Sequence, residues 1–196
     1  MQICLKPKPN IIDESCMILL PQTSAKSLPV SMRKEEEGLL CCARTYMSPP
    51  TAARLKMILL EGLDWEYLIQ IAQWHGVTPL LYHSLKNTCP ESVPQTKLKQ
   101  LREYFQANSC RTVFLTQRLI AILRLFNSNA IPSIPFKGTI LAAAVYGNLC
   151  LRQTRDLDIL VHKNHFQKAK DLLIAEGYEV ILDLPWECHF VLDGDI

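Results

Sequence analysis

The chain has 196 residues, and 48% of them are apolar, which is enough to bury one core or a core with a helical annex. Lys and Arg together number 21 against 19 acidic residues, so the basic face that a polynucleotide-coating protein needs is missing and no nucleic-acid partner is expected. The longest apolar stretches fall short of the roughly 20 residues that cross a bilayer, and residues 1–10 lack a signal-peptide core. We therefore predict a folded, cytoplasmic protein with no membrane partner.

Residues 1–47 show no sustained hydrophobic period that would let them form a core alone. They combine the segment Lys-Pro-Lys-Pro, a stretch rich in Ser, Thr and Pro, and the charged run at residues 33–37. We predict that this part of the chain is a loosely ordered leader.

Residues 48–130 are predicted to form a helical region. The starts of three short helices are marked by a polar residue next to a proline or an aromatic residue, namely Ser48 before Pro49, Asp64 before Trp65 and Thr78 before Pro79. Beyond Pro94, apolar residues at helical spacing indicate one long amphipathic helix or two in tandem. The polar pair Asn108-Ser109 is expected to interrupt that pattern with a turn.

Residues 131–196 are predicted to form an α/β unit, because the hydrophobic period shifts toward two at Ile131. The first strand is bounded by Pro132 and Pro135, which favours the edge of a sheet. The further predicted elements are helices at residues 140–146 and 164–177 and strands at residues 156–162, 178–184 and 188–192. The predicted fold class is thus α+β, a helical region followed by a small mixed-sheet core.

Two acidic residues at the head of an apolar strand are the first candidate for chemistry. Asp156 and Asp158 are two residues apart, so their carboxylates project from the same face and can reach one hard cation such as Mg²⁺. Nucleotidyl transfer needs the charge of a triphosphate neutralised and the attacking hydroxyl held in line, and metal-bound carboxylates supply much of that. Taken alone, such a pair is as often two solvated acids on an exposed surface.

A glycine at a strand-to-helix turn is the second candidate. Gly138 has no side chain, so the backbone can approach an anion there, and the amides of the following helix and the Thr139 hydroxyl can donate to phosphate. Lys137, Arg152 and Arg155 flank the two motifs and can meet phosphate oxygens, and of these we favour Arg152. The order of these motifs within one compact unit predicts a site for a nucleoside triphosphate.

Several segments also resemble a known family. Residues 136–178 contain K-G-T-I-L-A-A-A-V-Y, L-R-Q-T-R-D-L-D-I-L-V and A-K-D-L-L-I-A-E-G-Y, and upstream lie the pair Asp64-Trp65 and the segment at residues 77–82. Together they resemble the uncharacterised nucleotidyltransferase family of the DNA polymerase β-like superfamily, from about Leu55 to the end of the chain. The leader lies outside this resemblance.

The resemblance implies a role for each candidate residue. Asp156 and Asp158 match the two metal-binding acids of a site that uses two Mg²⁺ ions. Gly138 and Thr139 stand where the superfamily has a Gly-Ser pair that contacts phosphate. Thr139 in place of Ser, and Lys137 before the glycine, differ from the superfamily pattern, and the uncharacterised family shares both differences.

One part of the superfamily pattern is missing from the sequence. The third acid of the superfamily lies on a later strand, whereas here the Asp193-Gly194 turn is followed only by Asp195 and Ile196. We therefore expect a core that is truncated at its C-terminus, with the strand at residues 188–192 lacking a neighbour. Asp193 or Asp195 could substitute for the third acid, but turn residues of this type usually serve backbone geometry.

Three functional hypotheses follow. The first is an enzyme that transfers a nucleotidyl group from a nucleoside triphosphate to a hydroxyl of an unknown acceptor, a small molecule or a protein. The second is a catalytically inactive nucleotide-binding or regulatory protein of the same fold. The third is a protein-interaction module in which the helical region is the functional surface.

Overall fold

The computed structural model describes residues 1–7 and 32–192. These residues form seven α-helices and a five-stranded mixed sheet, so the predicted α+β class is confirmed. In chain order the elements are β1 (Gln2–Pro7), α1 (Lys34–Cys42), α2 (Pro49–Leu60), α3 (Trp65–Trp74), α4 (Thr78–Thr88), α5 (Gln95–Ser128), β2 (Ser133–Phe136), α6 (Gly138–Leu141), β3 (Leu157–Val161), α7 (Phe166–Ala175), β4 (Tyr178–Asp183) and β5 (Glu187–Leu192). A π-helical segment, Ala142–Tyr146, continues α6.

The helices α1 to α4 pack with the N-terminal part of α5 around one apolar core, which includes Leu55, Leu81 and Leu101. Two of the predicted helix starts are confirmed by their capping hydrogen bonds. The Ser48 hydroxyl accepts from the backbone N–H of Thr51 at 3.4 Å, and the Asp64 carboxylate accepts from that of Tyr67 at 3.1 Å. Within the described ranges, no helix is long and apolar enough to cross a membrane.

Helix α5 is continuous, and the predicted interruption at Asn108-Ser109 is wrong. The Ser109 hydroxyl donates to the carbonyl of Phe105 at 2.7 Å, one turn back in the same helix. The Asn108 side-chain amide donates instead to the carbonyl of Cys150 at 2.9 Å. Neither polar side chain therefore competes for the helix's own backbone N–H groups.

The strands are ordered β2-β3-β1-β5-β4, and β2 lies at the sheet edge as predicted. Strand β1 is antiparallel to β3, with Cys4 opposite Asp158, and parallel to β5, with Cys4 beside His189. One face of the sheet packs against α5 and α7 in a second apolar core that includes Ile3, Leu5, Leu119, Phe126, Ile159, Leu173 and Phe190. The side chains that alternate with these core residues along each strand project from the opposite face.

The prediction of a loosely ordered leader is wrong for two segments within residues 1–47. Strand β1 lies in the middle of the sheet, and α1 belongs to the helical core. The guanidinium of Arg54 on α2 donates to the Glu37 carboxylate of α1 at 2.6 Å, and Glu35 accepts from the backbone N–H of Asp64 at 2.9 Å. Only two core residues, Ile3 and Leu5, mark the period of β1, and its hydrogen-bonding partners lie more than 150 residues away along the chain.

The expectation that the strand at residues 188–192 lacks a neighbour is also wrong. Strand β5 pairs with β4 on one side and with β1 on the other, so it is an interior strand. The N-terminal strand therefore occupies the position that was expected to be empty. Asp193 and Asp195 lie outside the described residues.

We predict that Ile3→Ala lowers the free energy of unfolding by about 2–5 kcal/mol, because the Ile3 side chain is fully buried in the sheet core. Ile134→Ala is the matched control, since Ile134 lies on edge strand β2 with 65% of its surface exposed, and it should cost less than about 0.5 kcal/mol. Unfolding in guanidinium chloride, monitored by circular dichroism, measures the free energy of unfolding of both variants. An equally small effect at both positions would contradict the central placement of β1.

Candidate nucleotide and metal site

Asp156 and Asp158 lie at the start of β3 and project from the sheet face opposite the core. Leu157 and Ile159, which alternate with them, are buried in the sheet core, and this alternation directs both carboxylates to the other face. The structure thus brings together the two acids that the sequence singled out. One oxygen atom of each carboxylate belongs to a cluster of three potential metal-binding atoms, all within 4.8 Å of one another.

Asp158 is a buried carboxylate with two partners from other elements. Its Oδ1 accepts from the Gln2 side-chain amide of β1 at 2.8 Å, and its Oδ2 lies 3.5 Å from Nζ of Lys137. Only 5% of the Asp158 side chain is exposed, whereas the Lys137 side chain is more than half exposed. A buried carboxylate requires such partners, because removing its charge from water is costly.

Cys4 is the third member of this group, and sequence analysis missed it. Its thiol donates toward Oδ2 of Asp156 at 4.0 Å, and its Sγ lies within 4.8 Å of the donor oxygens of both acids. Burial and the nearby charges of Asp158 and Asp156 raise the pKa of the Cys4 thiol to about 12. At neutral pH the Cys4 thiol is therefore protonated.

The turn between β2 and α6 packs directly against the residues that lead into β3. Gly138 has a positive φ of 39°, and a Cβ built on it would lie 3.3 Å from the carbonyl oxygen of Asp156 and 3.3 Å from Cγ2 of Thr154. A side chain at this position would therefore crowd the Asp156 carbonyl, a packing reason for glycine that is separate from the predicted approach to an anion. Next to it, the buried hydroxyl of Thr139 has no hydrogen-bond partner in the part of the chain that the structure describes.

Arg152 reaches the same turn from the loop before β3. Its Nη1 donates to the Gly138 carbonyl at 3.3 Å and lies 3.5 Å from the Thr154 hydroxyl. The carbonyl of Arg152 accepts from the Asn108 side-chain amide at 3.4 Å, which ties the loop to α5. Arg155, by contrast, is exposed. The structure therefore places the Arg152 guanidinium at the glycine turn, and its predicted contact with phosphate stays a prediction.

Comparison with protein families identifies a match over most of the chain. The model of an uncharacterised nucleotidyltransferase family matches residues 61–193, which is more than half of the chain. The chain belongs to this family. The matched region includes all the predicted site residues, Lys137, Gly138, Thr139, Arg152, Asp156 and Asp158, and excludes β1 with Cys4. No curated protein and no solved structure matches the chain. Family membership supports a general nucleotidyltransferase role.

We predict that Gly138→Ala destabilises the protein more than Gly62→Ala does. Both glycines have positive φ, so each substitution should cost about 1–2 kcal/mol in backbone strain. A Cβ on Gly62 meets nothing within 4 Å, whereas one on Gly138 meets the Asp156 carbonyl, and this crowding should add at least about 1 kcal/mol. Denaturant unfolding measures the difference, and equal losses would contradict the packing of the turn against β3.

Proposed function

We propose that this protein binds a magnesium nucleoside triphosphate and transfers a nucleotidyl group to an acceptor hydroxyl. The observation that carries the proposal is that the carboxylates of Asp156, just before β3, and Asp158, on β3, lie together. Beside them is the turn that contains Gly138, whose carbonyl accepts from Arg152. Membership of a nucleotidyltransferase family gives the class of reaction.

The donors in this place suit a hard divalent cation. Carboxylate oxygens are preferred ligands of Mg²⁺, and a buried carboxylate such as Asp158 next to a second one favours a cation that offsets their charge. Asp156 and Asp158 would hold the ion. When bound, it would supply neutralisation of the phosphate charge and activation of the acceptor hydroxyl.

The surrounding residues would position the triphosphate. Arg152 is tethered through Nη1 to the Gly138 carbonyl, which leaves the rest of its planar guanidinium for a phosphate oxygen. Lys137 lies against Asp158 and offers a point charge at the edge of the site. The buried, unpartnered hydroxyl of Thr139 adds a donor beside the same turn.

A second function, nucleotide binding without transfer, is favoured by one specific observation. Among the described residues, the neighbours that the sheet places across from Asp158 are Cys4 on β1 and Phe136 on β2, neither of which is an acid. Incubation with labelled nucleoside triphosphates, Mg²⁺ and cellular extract separates the two functions. Label transferred to an acceptor supports the enzyme, and binding without transfer supports the second function.

We predict that Asp156→Asn combined with Asp158→Asn abolishes Mg²⁺-dependent triphosphate binding, because amides cannot replace both charged ligands. Asp171→Asn is the control, since Asp171 is an exposed acid on α7 whose carboxylate accepts from the Gln167 side chain. Isothermal calorimetry with and without Mg²⁺ measures binding, and circular dichroism checks the fold. Metal-dependent affinity that survives in the double variant would remove the two acids from the metal site.

We predict that Arg152→Ala weakens triphosphate binding by about tenfold or more, whereas Arg155→Ala changes it little. Loss of a charge-assisted hydrogen bond of about 1.5–3 kcal/mol corresponds to roughly 10-fold to 150-fold in affinity. Nucleoside binding should change far less than triphosphate binding. Equal effects of the two substitutions would place the phosphates away from the Gly138 turn.

A further inference from the structure

We propose that the outer edge of β4 is a docking site for an extended segment of a partner protein, in which a short apolar run is flanked by lysine or arginine. The segment would add a strand to the sheet. In the sheet, β1 and β5 lie between β4 and the strand that carries Asp158, so the inference does not depend on the proposed function.

Strand β4 has a free edge. It pairs with β5 on one side, and no described strand pairs with it on the other. The backbone N–H and C=O groups along such an edge can form a ladder with an extended peptide. Edge strand β2 contains Pro135, a residue that disfavours pairing with a further strand, whereas the sequence of β4 contains no proline. Of the two edges, β4 is therefore the one that can accept a strand.

The exposed side chains in the centre of β4 are apolar. Val180, Ile181 and Leu182 are consecutive, and 38%, 54% and 39% of their surfaces are exposed. Trp186, in the turn that follows β4, is 63% exposed. Exposed apolar side chains that lie together mark interaction surfaces, and tryptophan is enriched among the residues that contribute most to binding.

These apolar side chains flank the edge on both faces of the sheet. Val180 lies opposite the core residue Phe190, and Leu182 lies opposite His189, the neighbouring residue of β5. Neighbouring residues of a strand project from opposite faces, so Val180 is on the face that packs against α7 and Leu182 is on the other. An added strand would cover both side chains if its own residues were apolar at consecutive positions.

The charge around this edge indicates what should flank the apolar run. Residues 171–192 contain five acids and no lysine or arginine. Asp183 pairs with a lysine of α7, and Glu187 pairs with a histidine of β5. Glu176 and Glu179 are exposed, and neither forms an ion pair with another described residue. A partner segment with basic residues beside its apolar run would complement these two acids.

A second copy of the chain fits this edge less well. Antiparallel pairing of two β4 strands about a two-fold axis through Ile181 would set Glu179 of one copy opposite Asp183 of the other. Like charges directly opposite each other in a sheet destabilise the pair. The acids that disfavour a second copy are the ones that attract a basic segment, so the occupant is a different chain.

Fluorescence anisotropy with a labelled peptide of sequence K-K-V-I-V-K-K tests the proposal on the whole chain. The chain should bind this peptide and should bind the acidic analogue E-E-V-I-V-E-E at least about tenfold more weakly. Methylation of the three central backbone nitrogens of the basic peptide should weaken binding by more than about tenfold, because strand addition depends on main-chain hydrogen bonds. No binding of the basic peptide, equal binding of the acidic one, or no effect of methylation would overturn the proposal.

Variants of the chain locate the binding to β4. Glu179→Lys should weaken binding of the basic peptide by about threefold to tenfold, because an attraction becomes a repulsion. Glu103→Lys makes the same charge change at an exposed acid of α5 and should alter the affinity little. Ile181→Lys places a charge within the apolar part of the edge and should abolish binding, while circular dichroism checks that each variant is folded.

Two results with these variants would refute the docking site. One is an equal effect of Glu179→Lys and Glu103→Lys, which would show that the peptide responds only to net charge. The other is a dimer of the unaltered chain in analytical ultracentrifugation that Ile181→Lys dissociates, because the edge would then be occupied by a second copy.

Discussion

The pairing of Gln2–Pro7 with both β3 and β5 is the interaction on which the rest of the sheet depends. Strands β3 and β5 do not pair with each other, so β1 is what joins the edge that carries the aspartates to the β4–β5 hairpin. Ile3 and Leu5 anchor β1 in the core beneath, while Gln2 and Cys4 project toward the aspartates above. One short segment thus completes both the hydrophobic core and the polar site.

Local signals in the sequence were sufficient to predict the elements that depend mainly on residues close to them in the chain. Ser48 and Asp64 cap helices, Pro132 and Pro135 mark an edge strand, and the apolar run after Asp156 forms β3. Strand β1 escaped prediction because its alternation rests on only two core residues, Ile3 and Leu5, and its hydrogen-bonding partners lie far away along the chain. The uninterrupted α5 was missed for a similar reason, since the Asn108 side chain bonds to a remote loop.

The candidate site shows the same division between local and long-range causes. The spacing of Asp156 and Asp158 defines their common face, and the sequence was enough to predict it. Gly138 was selected as a site residue, yet its close contact with the Asp156 carbonyl is tertiary and could not be read from the turn itself. Cys4 was missed because a buried cysteine in an apolar run usually serves as a small hydrophobic residue.

Helix α5 is long enough to belong to two cores at once. Its 34 residues span about 50 Å, with Leu101 packed among the other helices and Phe126 packed beneath the sheet. Between these ends, the Asn108 side-chain amide donates hydrogen bonds to the carbonyls of Cys150 and Arg152, in the loop before β3. Because α5 packs in both cores, it links the helical region to the sheet. Because each core contains part of this one helix, unfolding of either core would remove support from the other, so the helical region and the sheet should melt as one cooperative unit.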